Sequence, residues 1–402
     1  VASNRHSLLL PVYVPTALLA FGQGLLIPTL PVYAATFGVP FTLVSLAVGA
    51  AAIGTLVTDV PAGMLLGRLG RKPAMLLGTT LVAVSTLLIG LAHYFPELVV
   101  YRLLAGAGTA LWGLSRHAYI TDIAPVAERG RSIAIFGGIN RIGVFAGPAA
   151  GGVVGASLGL NIPFLLASFM AIIATVISLL FIRETGSAAT VPHRRMRWQL
   201  VGNLLKTHGP DLASAGIAQT FAQMIRAGRQ LIIPLYAASV LQLDVAAIGM
   251  IVSAGAVIDM TLFVPAGFIM DRFGRKWAAV PSFTVMAIGM AMIPLATDYW
   301  SMLAASVLIG FGNGLGSGTM MTLGADLAPP GATGEFLGLW RLIGDTGGAG
   351  GPLVVGALAD LIGLSLTALA LSGVGLASAA VLALLVRETR HQAPAPPLRS
   401  SG

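Results

Sequence analysis

Gln219, Gln223, Arg226, Arg229 and Gln230 stand close together in one otherwise apolar stretch. Four of them, Gln219, Gln223, Arg226 and Gln230, follow at intervals of four, three and four, so a helix would carry them on one stripe. Guanidinium groups flanked by amides are donors for a carboxylate, a phosphate or an aromatic face. The plainer role for the stripe is structural, tying its helix to neighbours. Three acids also interrupt apolar stretches: Asp59, Asp259 and Asp345. A buried carboxyl without a partner can exchange a proton near physiological pH, whereas a salt-bridged one stays ionised. Asp345 has no obvious partner at its depth and is the first choice for a proton carrier.

Other chemistries lack their residues. There are no cysteines, hence no disulfide, thiol nucleophile or thiolate site. His6, His93, His117, His193, His208 and His391 are scattered, with no His-Glu-x-x-His and no Ser/His/Asp set. No Gly-x-x-x-x-Gly-Lys-Ser/Thr loop is present to hold a nucleotide phosphate. Neither a metal site, nor a cofactor, nor a catalytic residue is expected. The class set against transport, a membrane-embedded enzyme or receptor, has little in the sequence to support it.

The elements that must position these groups are set by composition. Only 9% of residues are charged and 56% are hydrophobic, where a soluble domain carries about a quarter charged. Lipid must therefore solvate most of the surface. About 20 apolar residues cross a bilayer as a helix. The chain offers twelve such spans, at 8–35, 41–66, 74–93, 97–121, 131–156, 160–182, 211–238, 246–270, 277–296, 300–326, 335–358 and 362–386. The expected organisation is a bundle over 1–185, a linker over 186–210, a second bundle over 211–390 and a disordered Pro- and Ala-rich tail over 391–402. Within the linker, residues 194–206 read either as an amphipathic helix on anionic headgroups or as a loose connector. Residues 1–7 are too short for the charged part of a leader peptide. A charge buried at mid-membrane costs about 2.5–3.5 kcal/mol on insertion scales, so the polar residues above should face a cavity or a partner.

The two bundles are copies. Val60-Pro-Ala-Gly-Met-Leu-Leu-Gly-Arg-Leu-Gly-Arg-Lys recurs as Val264-Pro-Ala-Gly-Phe-Ile-Met-Asp-Arg-Phe-Gly-Arg-Lys, an offset of 204 (264 − 60). At the same offset Gly106-x-Gly108 matches Gly310-x-Gly312, Asp122 matches Asp326, and Arg183-Glu184 matches Arg387-Glu388. Gly143-x-x-x-Gly147-Pro148 likewise matches Gly347-x-x-x-Gly351-Pro352. Such a register argues for a duplicated fold with its site between the copies. The cations gather in alternate loops, among them Arg68, Arg71, Lys72, Arg129, Arg131, Arg272, Arg275 and Lys276, while the other loops hold none. By the positive-inside rule those loops, the linker and both termini face the cytoplasm of a plasma (bacterial inner) membrane. The net charge of +8 is then loop charge rather than a nucleic-acid surface.

The second basic turn, with Gly267, Asp271, Arg272, Gly274, Arg275 and Lys276, resembles the loop signature of the major facilitator superfamily; the first has Gly63, Arg68 and Arg71, with Gly67 in the aspartate's place. Arg102-x-x-x-Gly106-x-Gly108 resembles that family's fourth-helix signature. Gly143-x-x-x-Gly147-Pro148-x-x-Gly151-Gly152 resembles the antiporter signature of its drug:proton branch, with Ala134 where a further glycine is usual. The resemblance implies an all-α membrane protein, twelve transmembrane helices in two pseudo-symmetric six-helix bundles. It implies a monomer that moves a small amphiphilic compound by alternating access, with protons as coupling ion and membrane lipids as its surroundings. Spans 1, 4, 7 and 10 are then expected to line a cavity with Gln23, Arg102, Trp112, Gln219, Gln223, Arg226, Arg229, Gln230 and Asn313. Span 1 holds no acid, unlike many exporters of cationic drugs, which favours neutral, zwitterionic or anionic substrates; the alternative is a transporter of an organic anion or lipid-like acid. The family's helix neighbours and equal depths along the spans pair Arg141 with Asp259 and Asp59 with Arg341. They also pair Asp271 with Arg131, and Arg68 or Arg71 with Glu335.

Overall fold

The computed structural model describes residues 8–123, 129–184, 209–328 and 333–389. The linker and tail readings fall outside these residues. The described chain is helical throughout, without a strand. Spans 1 to 6 are the helices Val14–Ala35, Phe41–Leu69, Arg71–Gly90, Phe95–Ile123, Arg129–Leu158 and Ile162–Phe181. Span 7 is Gly209–Ser239, and span 9 is Arg275–Met292. Spans 11 and 12 run through Thr333–Leu384, parted at Gly363, whose φ of 80° only glycine adopts readily.

Two spans are interrupted. Span 8 is Val245–Thr261 followed by Phe263–Arg272. Pro265 has no N–H to offer the Thr261 carbonyl, so the helix restarts there. Span 10 is Tyr299–Leu315 followed by Thr319–Leu327. Its break falls in Gly314-Leu-Gly-Ser-Gly318, where Gly318 takes a φ of 80°. Among the described residues nine segments are long and apolar enough to cross a membrane, one of them holding spans 11 and 12 together. Span 7 is made too polar by its stripe, and span 10 is cut short by its break. The arrangement is consistent with twelve crossings.

The chain divides into two compact units, Val1–Pro192 with Ala237–Ser253, and His193–Tyr236 with Ala254–Gly402. Ala237–Ser253 joins the first unit through the glycines of span 5. A Cβ on Gly152 would lie 3.0 Å from the Gly249 Cα. The Ser253 hydroxyl accepts from the Ala149 N–H at 2.8 Å and donates to the Phe145 carbonyl at 3.0 Å.

Within each unit the duplicated sequence makes duplicated contacts. Ser168 donates to the Ala83 carbonyl at 2.8 Å, and Ser372 to the Ala287 carbonyl at 2.8 Å. Gly106 lies against the Ala51 backbone as Gly310 lies against Gly255. Small residues let the backbones approach, which is how helices associate where water supplies no driving force.

The opposite face of span 5 packs on span 1. A Cβ added at Gly143 would sit 2.6 Å from the Phe21 nitrogen, and one at Gly147 would sit 2.5 Å from the Gly24 Cα. Gly151 lies against Leu25 in the same row. Gly147→Val should therefore push these helices apart and destabilise the first unit by at least the ~1–3 kcal/mol typical of overpacking. Gly138→Ala, on the same helix with open space around it, should be neutral or slightly stabilising. Thermal melts of the two variants in detergent check this; equal melting temperatures would sink the packing argument.

Candidate functional site

Inside the second unit, spans 7, 8 and 10 bring a buried polar cluster together. The glycines of span 10 make it possible. A Cβ on Gly314 would lie 2.8 Å from the Asp259 carbonyl oxygen, so only a bare backbone lets span 10 come this close to span 8. Asn313, the residue before it, donates from Nδ2 to Asp259 Oδ2 at 2.5 Å. Arg226 of span 7 donates from Nε to Asn313 Oδ1 at 3.0 Å and from Nη2 to the Gly316 carbonyl at 3.0 Å. Its guanidinium lies 5.1 Å from the Phe283 ring centre. Arg229, one turn on, reaches Asp259 Oδ2 at 3.5 Å. The Arg229 and Asp259 side chains are only 19% and 16% exposed. Asp259 Oδ1 is buried and has no hydrogen-bond partner among the described residues.

The cluster thus holds two guanidiniums and one carboxylate, next to the break in span 10 and three residues before the break in span 8. The carbonyl that Arg226 takes belongs to the span 10 break itself. Interrupted helices with polar partners are where membrane transporters expose backbone without cost to the fold. Among the described residues the first unit has no counterpart. Spans 2 and 4 are unbroken there, and Thr55 and Thr109 occupy the repeat positions of Asp259 and Asn313.

Several of the residues expected to pair across the units have partners within their own unit. Asp259, matched by depth to Arg141, has its Oδ2 engaged by Arg229 and Asn313 of its own unit. Arg341, matched to Asp59, instead faces Asp345 one turn along the same helix, at 3.5 Å. Asp345 therefore has a cationic neighbour where the sequence suggested none, and its side chain is 45% exposed. Depth along a helix gives height but not rotation, and rotation decides the partner. Asp59 is half-buried on span 2.

The other expected site residues are spread. Gln219 is buried against Gly344 of span 11. Gln223 is half-buried and Gln230 exposed. Arg102 donates to the Ala47 and Val48 carbonyls, at 3.2 and 3.1 Å, and so straps span 4 to span 2. Gln23 is exposed. Trp112 is not at a surface: it is 4% exposed, in a core with Val12, Met75 and Tyr119.

The basic turns also form clusters inside their own units. Arg71 Nε meets Asp122 Oδ2 at 2.9 Å, and Arg275 Nε meets Asp326 Oδ2 at 2.8 Å. Gly70 and Gly274, with φ of 87° and 119°, turn the chain into spans 3 and 9. Glu184 then accepts from the N–H groups of Arg71 and Lys72 at 2.9 and 3.0 Å. Glu388 does the same for Arg275 and Lys276 at 2.9 and 3.0 Å. A carboxylate there satisfies the free donors of a helix start and its positive dipole end. Either Arg68 or Arg71 was expected to meet Glu335, and Asp271 to meet Arg131. Among the described residues Arg71 meets Asp122, and Asp271 faces Arg275 at 3.5 Å. The Arg131 and Glu335 side chains lie outside the described residues. Arg68 and Gly63 are exposed and Gly267 is half-buried. The capping glutamates are the pair already noted at the offset of 204 (388 − 184); the repeat marked the positions but not their role as caps.

The family model of the Major Facilitator Superfamily matches residues 13–210 and 215–401, nearly the whole chain. The chain belongs to the Major Facilitator Superfamily. Among curated relatives, the quinolone resistance protein NorA of Staphylococcus aureus is 24% identical over 398 residues, covering 95% of this chain and 96% of that protein. An uncharacterised MFS-type transporter of Methanocaldococcus jannaschii is 24% identical over 357 residues, covering 88% and 92%. A bacterial homologue of the human lysosomal transporter Spinster, solved inward-facing and unoccupied, superposes with a TM-score of 0.76 at 17% identity, over 96% and 95% of the two chains. This superfamily member is thus a multi-pass membrane transporter and not an enzyme, similar to the drug-efflux branch.

Proposed function

We propose that the protein is a proton-coupled exporter of a small amphiphilic compound, working by exchange through alternating access. The observation that carries this is the Asp259 cluster: a buried carboxylate with one oxygen unengaged, beside two guanidiniums, where two helices are interrupted. Asp259 is the proton acceptor. A substrate bearing both charges suits the donor set, its cationic group at Asp259 Oδ1 and its acid group toward Arg226 and Arg229. Gln223 and Gln230 extend the site along span 7. Protonating Asp259 removes the anion that holds the cationic group, so proton and substrate exclude one another and must exchange. The likeness to a quinolone resistance protein supports outward transport. The basic turns and both termini face the cytoplasm of a bacterial inner membrane, and a monomer in membrane lipids is the working form.

A second reading rests on the excess of cations. With Asp259 protonated, the two guanidiniums lose its negative charge, and an organic anion would bind together with the proton. Transport by purified protein in liposomes, with an imposed pH gradient, separates the two. Zwitterionic compounds driven against the proton flow support exchange, and anions driven with it support the second reading. Transport of zwitterionic, cationic and anionic compounds indifferent to the gradient would sink both.

A further inference from the structure

Arg116, in span 4 of the first unit, is a charge that the proposed exchange does not use. Its side chain sits on the buried stripe of its helix, and the residue is only 8% exposed. Its Nε is buried without a hydrogen-bond partner among the described residues. Two rings hold it instead. The guanidinium carbon lies 3.8 Å from the ring centre of Phe136 on span 5 and 5.5 Å from that of Trp112. Among the described residues, the acids Asp122 and Glu184 at this end of the unit are engaged by Arg71 and by the start of span 3. His117 turns its Nδ1 to the Gly113 carbonyl and its ring edge to Phe136. Aromatic faces offset only part of what a buried cation loses on leaving water.

The surroundings leave room. Gly113, one turn before Arg116, and Gly137, next to Phe136, each face open space where a side chain would project. A planar guanidinium stacked on an aromatic ring keeps its in-plane donors available, which is the geometry that takes an acid group in two parallel hydrogen bonds.

We propose that Arg116, held over the Phe136 ring and near that of Trp112, is the receptor for the acid group of an aromatic amphiphile. This is a binding site in the first unit, apart from the Asp259 cluster, and it stands whether or not transport there is proton-coupled. The shared chemistry is an acid group on an apolar body, and two sources can supply it, a dissolved aromatic carboxylate or an anionic lipid.

The test uses the full chain in neutral detergent and in nanodiscs. Titration calorimetry with 2-naphthoate and its uncharged amide should show the acid binding at least tenfold tighter to the wild type. In a background carrying Arg226→Gln and Arg229→Gln, which removes the span 7 donors, Arg116→Gln should erase that preference, and Arg116→Lys, which keeps the charge but not the fork, should retain only part of it. Without ligand, Arg116→Gln should melt at or above the wild-type temperature, because an unpaired buried charge has been removed. In nanodiscs, stabilisation by phosphatidylglycerol over phosphatidylcholine that disappears in Arg116→Gln identifies lipid as the source; naphthoate preference without that lipid effect identifies a dissolved ligand. The proposal is overturned if wild type binds acid and amide alike and Arg116→Gln leaves the lipid response unchanged. It is equally overturned if Arg116→Gln melts lower while keeping, in that background, the preference for acid, which is what a purely structural aromatic anchor would do.

Discussion

Asp259→Asn is expected to lower uphill transport driven by a pH gradient by about a hundredfold or more, while substrate counterflow without a gradient stays within a few-fold of wild type. The amide can still accept from Asn313 Nδ2, so the join between spans 8 and 10 persists, but it cannot cycle a proton. Asp259→Ala should behave differently. It leaves the Arg229 guanidinium buried without its carboxylate, a loss that typically costs about 3–5 kcal/mol, and should show as a lowered melting temperature. Combining Asp259→Ala with Arg229→Gln should recover part of that stability, with a coupling of about 0.5–3 kcal/mol in a double-mutant cycle. Asp345→Asn serves as the comparison. Its carboxylate is 45% exposed and faces Arg341 on the same helix, an arrangement worth about 0–1 kcal/mol. If Asp259→Asn still concentrates substrate while Asp345→Asn does not, the proton is carried in span 11 and the assignment fails.

Arg226→Ala should leave a folded protein that binds charged substrates at least tenfold more weakly. Two contacts decide how much stability goes with it. The Gly316 carbonyl also accepts from the Thr319 N–H at 3.2 Å and from its hydroxyl at 2.7 Å, so the break in span 10 survives without the arginine. Asn313 Oδ1 loses its guanidinium donor, and a buried acceptor left alone costs about 1–3 kcal/mol. Arg226→Lys is the informative companion. One ammonium cannot reproduce the Nε bond to Asn313 and the Nη2 bond to Gly316 together. It should therefore lose the structural strap but keep some attraction for an acid group. Binding isotherms per folded protein, alongside melts, separate the roles. Wild-type affinity in Arg226→Ala would make the residue a strap alone and remove it from substrate recognition.

The sequence by itself determined that this chain is a duplicated helical membrane protein of the major facilitator kind. Those properties are one-dimensional: apolar run length, the alternation of charged loops, and a register of 204 residues that needs no structure to see. It also marked Arg226, Arg229, Asp259 and Asn313 as residues with a reason to be buried. The register even held the clusters at the basic turns, since Asp122 with Asp326 and Glu184 with Glu388 stand at the same offset.

Only the tertiary structure decided who meets whom. Counting residues along a span gives a height in the membrane, and by height Asp259 and Arg141 match. The azimuth of each helix is set by its packing, here by glycines that press span 10 onto span 8 beside Asp259 and by the restart of span 8 ahead of Pro265. With that rotation Asp259 meets Arg229, 30 residues earlier, and Asn313, 54 residues later. The same physics buried Trp112 and Arg116. A helix drawn as a line has no inside, and the side of span 4 they occupy is fixed only by the spans packed around it.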